Sequence, residues 1–276
     1  MNAPLTEAAG RLARLSLDFR RTPSGPTKLV RQFAQYPFHL TRPFHLDRPL
    51  GLATLFLQSS SGGLYEGDRL DMSVEVGPGA GLHLTTQAST IVHRGQGSAQ
   101  SVRLDVGAGG FLAWMPDPSI LFSGAGLDQT VRAVLAEGAN LMLCEGLLAH
   151  DPRGHADGVR HWRNETVIDR PGMDPVIDRQ RLEGESLVAA LSPDGRHLAM
   201  ASYFLAGPAF GDNVLTRMRN TLSGDRLYAG AGPLAGGGIV IRALAESGAA
   251  LAAASDIVFR IGFEAATGVP PMPRGK

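Results

Sequence analysis

A short unit that occurs three times constrains the fold of this chain more than any other feature of its sequence. In each copy, a segment of alternating apolar and polar residues runs into a turn rich in glycine and alanine. The turns recur about every thirty residues, in Glu75-Val-Gly-Pro-Gly-Ala80, Asp105-Val-Gly-Ala-Gly109 and Leu135-Ala-Glu-Gly-Ala139. Strict alternation is typical of strands with one buried face, and this period is typical of stacked β-coils or repeated β-layers. The unit therefore predicts one continuous β-structure through the first two-thirds of the chain.

Other segments extend this prediction to a mainly β chain with two helices near its carboxyl end. Alternating or apolar segments predict strands at Leu15–Arg20, Leu50–Leu57, Leu70–Val76, Leu82–Thr86, Ser101–Val106, Phe111–Met115, Thr130–Leu135 and Leu141–Leu148. Apolar residues at helical spacing predict helices at Asp212–Leu222, capped by Asp212, and at Leu244–Ile261, with a short strand at Gly236–Arg242 between them. Because no stretch qualifies as a linker, residues 1–276 are expected to form one domain, with a β-stack at about 12–200 and a helix-containing part at about 205–270.

Composition excludes several classes of partner. The formal net charge is +0, which argues against nucleic acid or an anionic membrane as the main partner. The single cysteine, Cys144, excludes an intrachain disulfide framework and fits a reducing compartment. The amino terminus lacks the basic and apolar regions of a secretion signal, and no apolar run approaches the length of a membrane span. We therefore expect a soluble cytoplasmic protein.

A glycine-rich loop at Ser59–Leu70 is a candidate for either a structural corner or part of a site. Gly62, Gly63 and Gly67 allow the backbone to take positive φ or to approach another group closely. Polar side chains, among them Asp68, follow these glycines at a tight bend. The loop by itself does not decide between the two interpretations.

Two carboxylates stand alone inside apolar strand-like segments. Glu145 lies within Leu141–Leu148, and Asp178 lies within Pro175–Arg179. A buried carboxylate is unfavourable unless it is paired, bound to a metal or facing water. Pairing of Asp178 with Arg179 or Arg181 and a functional role are both open on this ground.

The densest polar cluster is His150-Asp151-Pro-Arg-Gly-His155, with His161 close by in the sequence. Imidazoles and carboxylates suit divalent metals, but the spacing matches no compact metal motif, so a solvated loop is the alternative. A hydrolase that uses His150, Asp151 and His161 near Glu145 is a further hypothesis. It requires these side chains to converge within hydrogen-bonding reach in a cleft.

The order of the segments resembles the UreD (UreH) family of urease accessory proteins. The family's G-G-[LI]-x-x-G-D-x-L loop corresponds to Gly62–Leu70, and its T-x-x-[AS]-[ST]-K-x-[YH]-R strand nearly matches Thr86–Arg94. Further correspondences lie in Leu112–Phe122, in Ile239–Leu244 and in the closing Pro273-Arg274. Two departures stand out. Ile91 replaces the family's usual lysine, and His150-Asp151 takes the place of a Gly-Arg pair. These departures keep open an alternative, a divergent member of the family that binds a partner without passing nickel.

The resemblance implies a scaffold and not an enzyme. It implies a right-handed helical stack of β-strands with two late helices, which binds UreF, and through it the GTPase UreG, and docks on apo-urease during nickel delivery. It also implies an internal passage, whose lining here would be Asp68, Ser89, Glu145 and Asp178. Asp68, Glu145 and Asp178 would coordinate Ni²⁺ transiently, because hard oxygen donors suit handover better than thiolates do. No tightly bound cofactor is expected.

Overall fold

Two mixed β-sheets face each other, and two helices cover the second sheet. The computed structural model describes residues 10–23, 25–150, 158–184 and 198–274. Within these ranges the first sheet, here the outer sheet, has the spatial order β14 (Val176–Glu183), β13 (His161–Asp169), β11 (Gly126–Leu135), β8 (Ser98–Val106), β5 (Arg69–Val76), β1 (Leu12–Arg21) and β2 (Thr27–Ala34).

The second sheet lies between the outer sheet and the helices, and is here the central sheet. Its spatial order is β16 (Leu227–Pro233), β17 (Ile239–Ala245), β15 (Ala199–Ala206), β12 (Asn140–His150), β9 (Phe111–Trp114), β6 (Gly81–Thr86), β4 (Ala53–Ser59) and β3 (Phe38–Leu40). Two short strands, β7 (Ile91–Val92) and β10 (Ser119–Phe122), pair with each other, and β10 also pairs with β12. A single 3-10 turn at Arg48–Leu50 precedes β4.

The repeated sequence unit corresponds to stacked turns at one end of the two sheets. From β5 to β12, successive long strands alternate between the outer and the central sheet. Equivalent strands pair in parallel, so that Val76 lies opposite Val106, and Val106 opposite Leu135. The backbone continues this pairing into the turns, since Gly107 N donates to Val76 O (2.7 Å) and Ala136 N to Val106 O (2.8 Å). Each repeat thus adds one strand to each sheet, which accounts for its length.

The chain is mainly β, as predicted, and it is best described as two mixed sheets. Parallel pairing in the outer sheet ends at β13, and β14 runs antiparallel to it. In the central sheet, β15, β16 and β17 are joined by antiparallel pairs. The right-handed helical stack to about residue 200 stays a prediction.

The two predicted helices are present, with different bounds. Helix α1 covers Asp212–Thr221 and follows Gly211 as its cap, so the predicted cap at Asp212 is wrong by one residue. Helix α2 covers Gly248–Thr267, because Ala245 still pairs with Ala199 in the central sheet. The hydroxyl of Ser247 then accepts from Ala250 N (3.2 Å) and starts the helix. None of the helices in the described ranges is long and apolar enough to cross a membrane.

Three apolar clusters form the core. The largest lies between the two sheets and includes Leu17, Val131 and Leu143. The second packs the other face of the central sheet against α1 and α2, and it contains Cys144, which is 4% exposed. That burial confirms Cys144 as a small core residue. The third cluster, around Trp162, again lies between the sheets, at the end away from the stacked turns.

Candidate functional site

A row of polar side chains, here the polar layer, separates the two apolar clusters between the sheets. On the outer sheet the pairing register aligns Gln100, Gln129, Asn164 and Gln180 across four strands. Two positions further, on the same face of the last two strands, Thr166 pairs with Asp178 and completes the layer on this sheet. On the central sheet it aligns Glu145, Ser202 and Arg242 across three strands. Residues two apart on a strand share a face, so each of these positions has the same orientation as its apolar neighbours in the core. The polar layer therefore crosses the interior of the protein from one side to the other.

A cavity of about 400 Å³ opens at one end of this layer. Its wall is formed by loops at the strand ends and by inward side chains of the layer, including Gly62, Gly63, Thr86, Ser89, Gln100, Gln129 and Glu145. Ser89 lies in the loop between β6 and β7 and is half-buried. The structure thus brings Ser89 and Glu145, two of the four predicted lining residues, to the same cavity.

Glu145 is the buried acid of this cavity, with 1% of its surface exposed. Its Oε2 accepts hydrogen bonds from Asn164 Nδ2 and Thr166 Oγ1, both on the opposite sheet. Within the described ranges no donor reaches its Oε1, which is also buried. Burial raises the pKa of Glu145 to about 7, and the nearby charge of Asp178 also raises it. The hydrogen bonds and the charge of Arg242 act in the opposite direction. This carboxylate therefore has one free oxygen and gains or loses a proton near neutral pH.

Asp178 lies at the other end of the polar layer, on the inward face of β14. Its Oδ2 accepts from Gln180 Nε2 (2.7 Å), and its Oδ1 forms an ion pair with Arg242. Pairing with Arg179 or Arg181 is wrong, because Arg179 binds Glu165 and Arg181 binds Glu183. Both arginines are an odd number of positions from Asp178 and therefore point away from the interior.

Asp68 has a different place from the one expected. It is 2% exposed, but it is not part of the cavity wall. Its carboxylate accepts from Arg11 N (2.9 Å), Arg11 Nε (3.0 Å) and Tyr65 N (2.8 Å). Burial by itself would raise the pKa of Asp68, but these hydrogen bonds outweigh it and lower the pKa. Asp68 therefore joins β1 to the glycine-rich loop, and its placement does not support contact with a passing ion.

The glycines of the loop shape the mouth of the cavity. Gly63 has φ +133°, and a Cβ there would lie 2.2 Å from Ile91 O. Gly67 also has positive φ, at +76°. A Cβ at Gly62 would meet only the hydroxyl of Tyr65, at 3.0 Å. Gly63 is thus the position where close approach of two backbones requires glycine.

The side chains of the hydrolase hypothesis do not converge. His150 is five positions from Glu145 on β12 and therefore lies on the opposite face, where it contacts the ring of Phe122 (5.4 Å). His161 lies on the outward face of β13, with its Nε2 3.3 Å from Asp128 Oδ2. Asp151, like most of the cluster up to His155, falls outside the described residues. The cleft that this hypothesis requires is not formed by His150, His161 and Glu145.

In the part of the chain that the structure describes, no three His, Cys, Asp or Glu side chains form a group that could hold a metal ion. Glu145 and Asp178 are the carboxylates of the polar layer, and the charge of Asp178 acts on Glu145. A cation in this layer would have few protein ligands at any one position. Such an arrangement suits weak and transient coordination.

Sequence reasoning missed several members of the polar layer, chiefly Arg242, Asn164 and Thr166. A signal was present for two others, because Gln100 and Gln129 occupy inward positions of strands that otherwise alternate regularly. A polar residue at an inward position is the pattern that indicates an interior polar layer.

Comparisons with known proteins agree on one family. The family model described as UreD urease accessory protein matches residues 11–275. The chain is 39% identical over 273 residues to urease accessory protein UreD 1 of Methylorubrum extorquens (strain PA1). The aligned region covers 97% of this chain and 92% of the relative. Identity is 38% over 252 residues to urease accessory protein UreD 1 of Bradyrhizobium sp. (strain BTAi1), covering 89% and 88%. It is 31% over 285 residues to urease accessory protein UreD 1 of Pseudomonas syringae pv. syringae (strain B728a), covering 100% of both.

Proposed function

Because this chain belongs to the UreD family of urease accessory proteins, we propose that it is a scaffold for urease maturation and conducts nickel through its polar layer. In this role it joins the accessory proteins UreF and UreG to apo-urease in the cytoplasm. It catalyses no reaction itself, and Ni²⁺ is its cargo. GTP hydrolysis belongs to UreG.

The observation that carries this proposal is the buried Oε1 of Glu145, which has no donor among the described residues and lies on the wall of a cavity of about 400 Å³. A buried carboxylate oxygen without a donor is unfavourable and indicates an unseen partner, such as a proton, water or a cation. The polar layer leads from this point to Asp178 at the opposite edge of the sheets. An ion that moves along it would exchange water for oxygen and amide ligands one at a time.

Features at the mouth of the cavity support docking of a partner there. Tyr36 and Tyr65 are 62% and 46% exposed, and they are adjacent in sequence to the lining residues Pro37 and Leu64. The guanidinium of Arg11 lies over both rings, at 5.8 and 5.3 Å. Exposed tyrosines with an arginine between them are typical of the energetically important centre of a protein interface.

The test is urease activation with two variants, Glu145→Ala and Asp178→Ala, in cells that express the complete accessory set. Both variants should lower activation while UreF, UreG and urease still co-purify with the chain. Asp71→Ala, which removes an exposed carboxylate on the outward face of β5, outside the polar layer, serves as the assembly control. Unchanged activation in both variants would leave a binding protein of the same fold that does not pass nickel.

A further inference from the structure

Arg242 occupies the end of the polar layer that is opposite the cavity. It lies on β17 at a position whose neighbours in the strand, Ile241 and Ala243, face the helices, so Arg242 faces the outer sheet. Its guanidinium donates to Ser202 Oγ and Asp178 Oδ1, and it lies over the ring of Phe204 at 5.5 Å. The arginine thus bridges the gap between the central sheet and β14.

This bridge leaves Asp178 unavailable to a cation. Arg242 occupies one carboxylate oxygen, and Gln180 occupies the other. A divalent ion that approached Asp178 would also meet the like charge of the guanidinium at short range. By contrast, Glu145 keeps one buried oxygen without a donor in the described structure. In the described structure, Glu145 therefore has an oxygen available to a cation, whereas both oxygens of Asp178 are occupied.

The bridge is placed so that it can open. The side chain of Arg242 is 43% exposed, whereas that of Asp178 is 15% exposed. A long side chain with this exposure can turn its guanidinium into solvent, away from the ring of Phe204 over which it lies in the resting structure. An ion pair with this degree of exposure is weak enough to exchange for a carboxylate on a docked protein.

We infer that Arg242 is the gate of the polar layer: in the resting protein its guanidinium keeps cations off Asp178, and its withdrawal opens that end. The inference rests on the proposed function, since it concerns the same layer. Arg242 acts as a positioning residue and does not bind the ion. The surface that withdraws it would be acidic, because the guanidinium needs a replacement anion.

The test measures binding of Ni²⁺ alone to the isolated full-length chain by equilibrium dialysis. Arg242→Gln should bind Ni²⁺ about tenfold more tightly than the wild type, because it removes the positive charge beside the carboxylate of Asp178. Arg179→Gln is the matched control, since this arginine lies one residue from Asp178 but binds Glu165 on the outward face. The charge-conserving Arg242→Lys should stay close to the wild type, and Asp178→Asn combined with Arg242→Gln should remove the gain.

Equal Ni²⁺ affinity of Arg242→Gln and Arg179→Gln would overturn the gate. If Arg242→Gln does not fold, Arg242→Met, which places an uncharged chain of similar length beside Phe204, carries the same expectation. The gate and the proposed function fail differently. Unchanged urease activation in both Glu145→Ala and Asp178→Ala removes the conduit, whereas lowered activation with unchanged dialysis removes only the gate.

Discussion

The carboxylate of Glu145, on the central sheet, accepts a hydrogen bond from the hydroxyl of Thr166 on the outer sheet. The interior acid is thereby fixed to both sheets, through Thr166 on one side and its own strand on the other. Only 1% of its surface is exposed, and its second oxygen has no donor in the described structure. Protonation of this one group therefore acts on the stability of the whole sandwich.

The first prediction concerns the pH dependence of that stability. Burial raises the pKa of Glu145 from 4.5 in the unfolded chain to about 7 in the folded protein. Between these values the folded state holds a proton that the unfolded state has released, so stability falls as pH rises through this window. Relative to the wild type, the free energy of unfolding of Glu145→Gln should therefore rise by about 3 kcal/mol between pH 4 and pH 8. Urea unfolding at a series of pH values measures this, and parallel curves for the two proteins would contradict it.

The second prediction concerns the ion pair between Arg11 and Asp68. Asp68→Asn should destabilise the protein by about 2–4 kcal/mol at pH 7, because it leaves a partly buried guanidinium without its counter-charge. The pKa of Asp68 is lowered in the folded state, so its stabilising effect is present above the unfolded pKa and is lost as pH falls below it. Urea unfolding at pH 7 and pH 3 measures both effects. Asp71→Asn, at an exposed position on β5, is the control and should have little effect.

The third prediction contrasts two adjacent glycines. Gly63→Ala should cost about 2–4 kcal/mol, because it combines a φ of +133° with a Cβ placed 2.2 Å from Ile91 O. Gly62→Ala should cost less than about 0.5 kcal/mol, since only the movable hydroxyl of Tyr65 is close. Thermal unfolding compares the two variants, and hydrogen exchange should show faster opening around residues 61–64 and 90–92 in Gly63→Ala. Equal losses in both variants would contradict the close approach at Gly63.

The fourth prediction concerns the carboxyl end of the chain. Arg274 pairs with Asp47, and the two side chains are 10% and 3% exposed. The guanidinium also lies over the rings of Phe259 and Phe263 on α2, at 5.2 and 5.3 Å. Arg274→Met should destabilise the protein by about 3–5 kcal/mol, because the carboxylate of Asp47 stays buried without its partner.

Urea unfolding of the two single variants and the double variant tests this pair, with Arg260→Ala as the control. Asp47→Asn combined with Arg274→Met should cost less than the sum of the two single changes, since neither charge is then left alone. Arg260→Ala, on the exposed side of α2, should cost less than about 1 kcal/mol. Additive losses would show that the two residues do not act on each other.

The sequence predicted the strands well where one face is apolar and the other polar. Segments such as Leu70–Val76 and Ser101–Val106 fall inside β5 and β8, because their period of two is set by burial of a single face. The predicted start of α2 at Leu244 is wrong, since alanine-rich Leu244–Ala245 suits either a helix or the end of a strand. Pairing across the sheet, which is not local, decides it for the strand.

The candidate site was predictable in part. Glu145 could be found because a charged residue at an inward position is rare. The partner of Asp178 could not, since Arg242 is 64 positions away and comes from the other sheet. The alternation of strand faces could have excluded Arg179 as the partner of Asp178, because adjacent residues on a strand point to opposite faces. Likewise, the role of Asp68 depends on Arg11, which lies 57 positions earlier and outside the loop motif.

The polar layer has an evolutionary consequence. If β12 slid by two residues, Glu145 would take the place of Leu143 or Leu147 and enter an apolar cluster, so the layer also selects one alignment of the strands. Under the proposed function, Glu145 and Thr166 would therefore be retained for two reasons, nickel passage and folding. A descendant that no longer passed nickel would still be expected to retain both residues, so their persistence alone would not diagnose the activity.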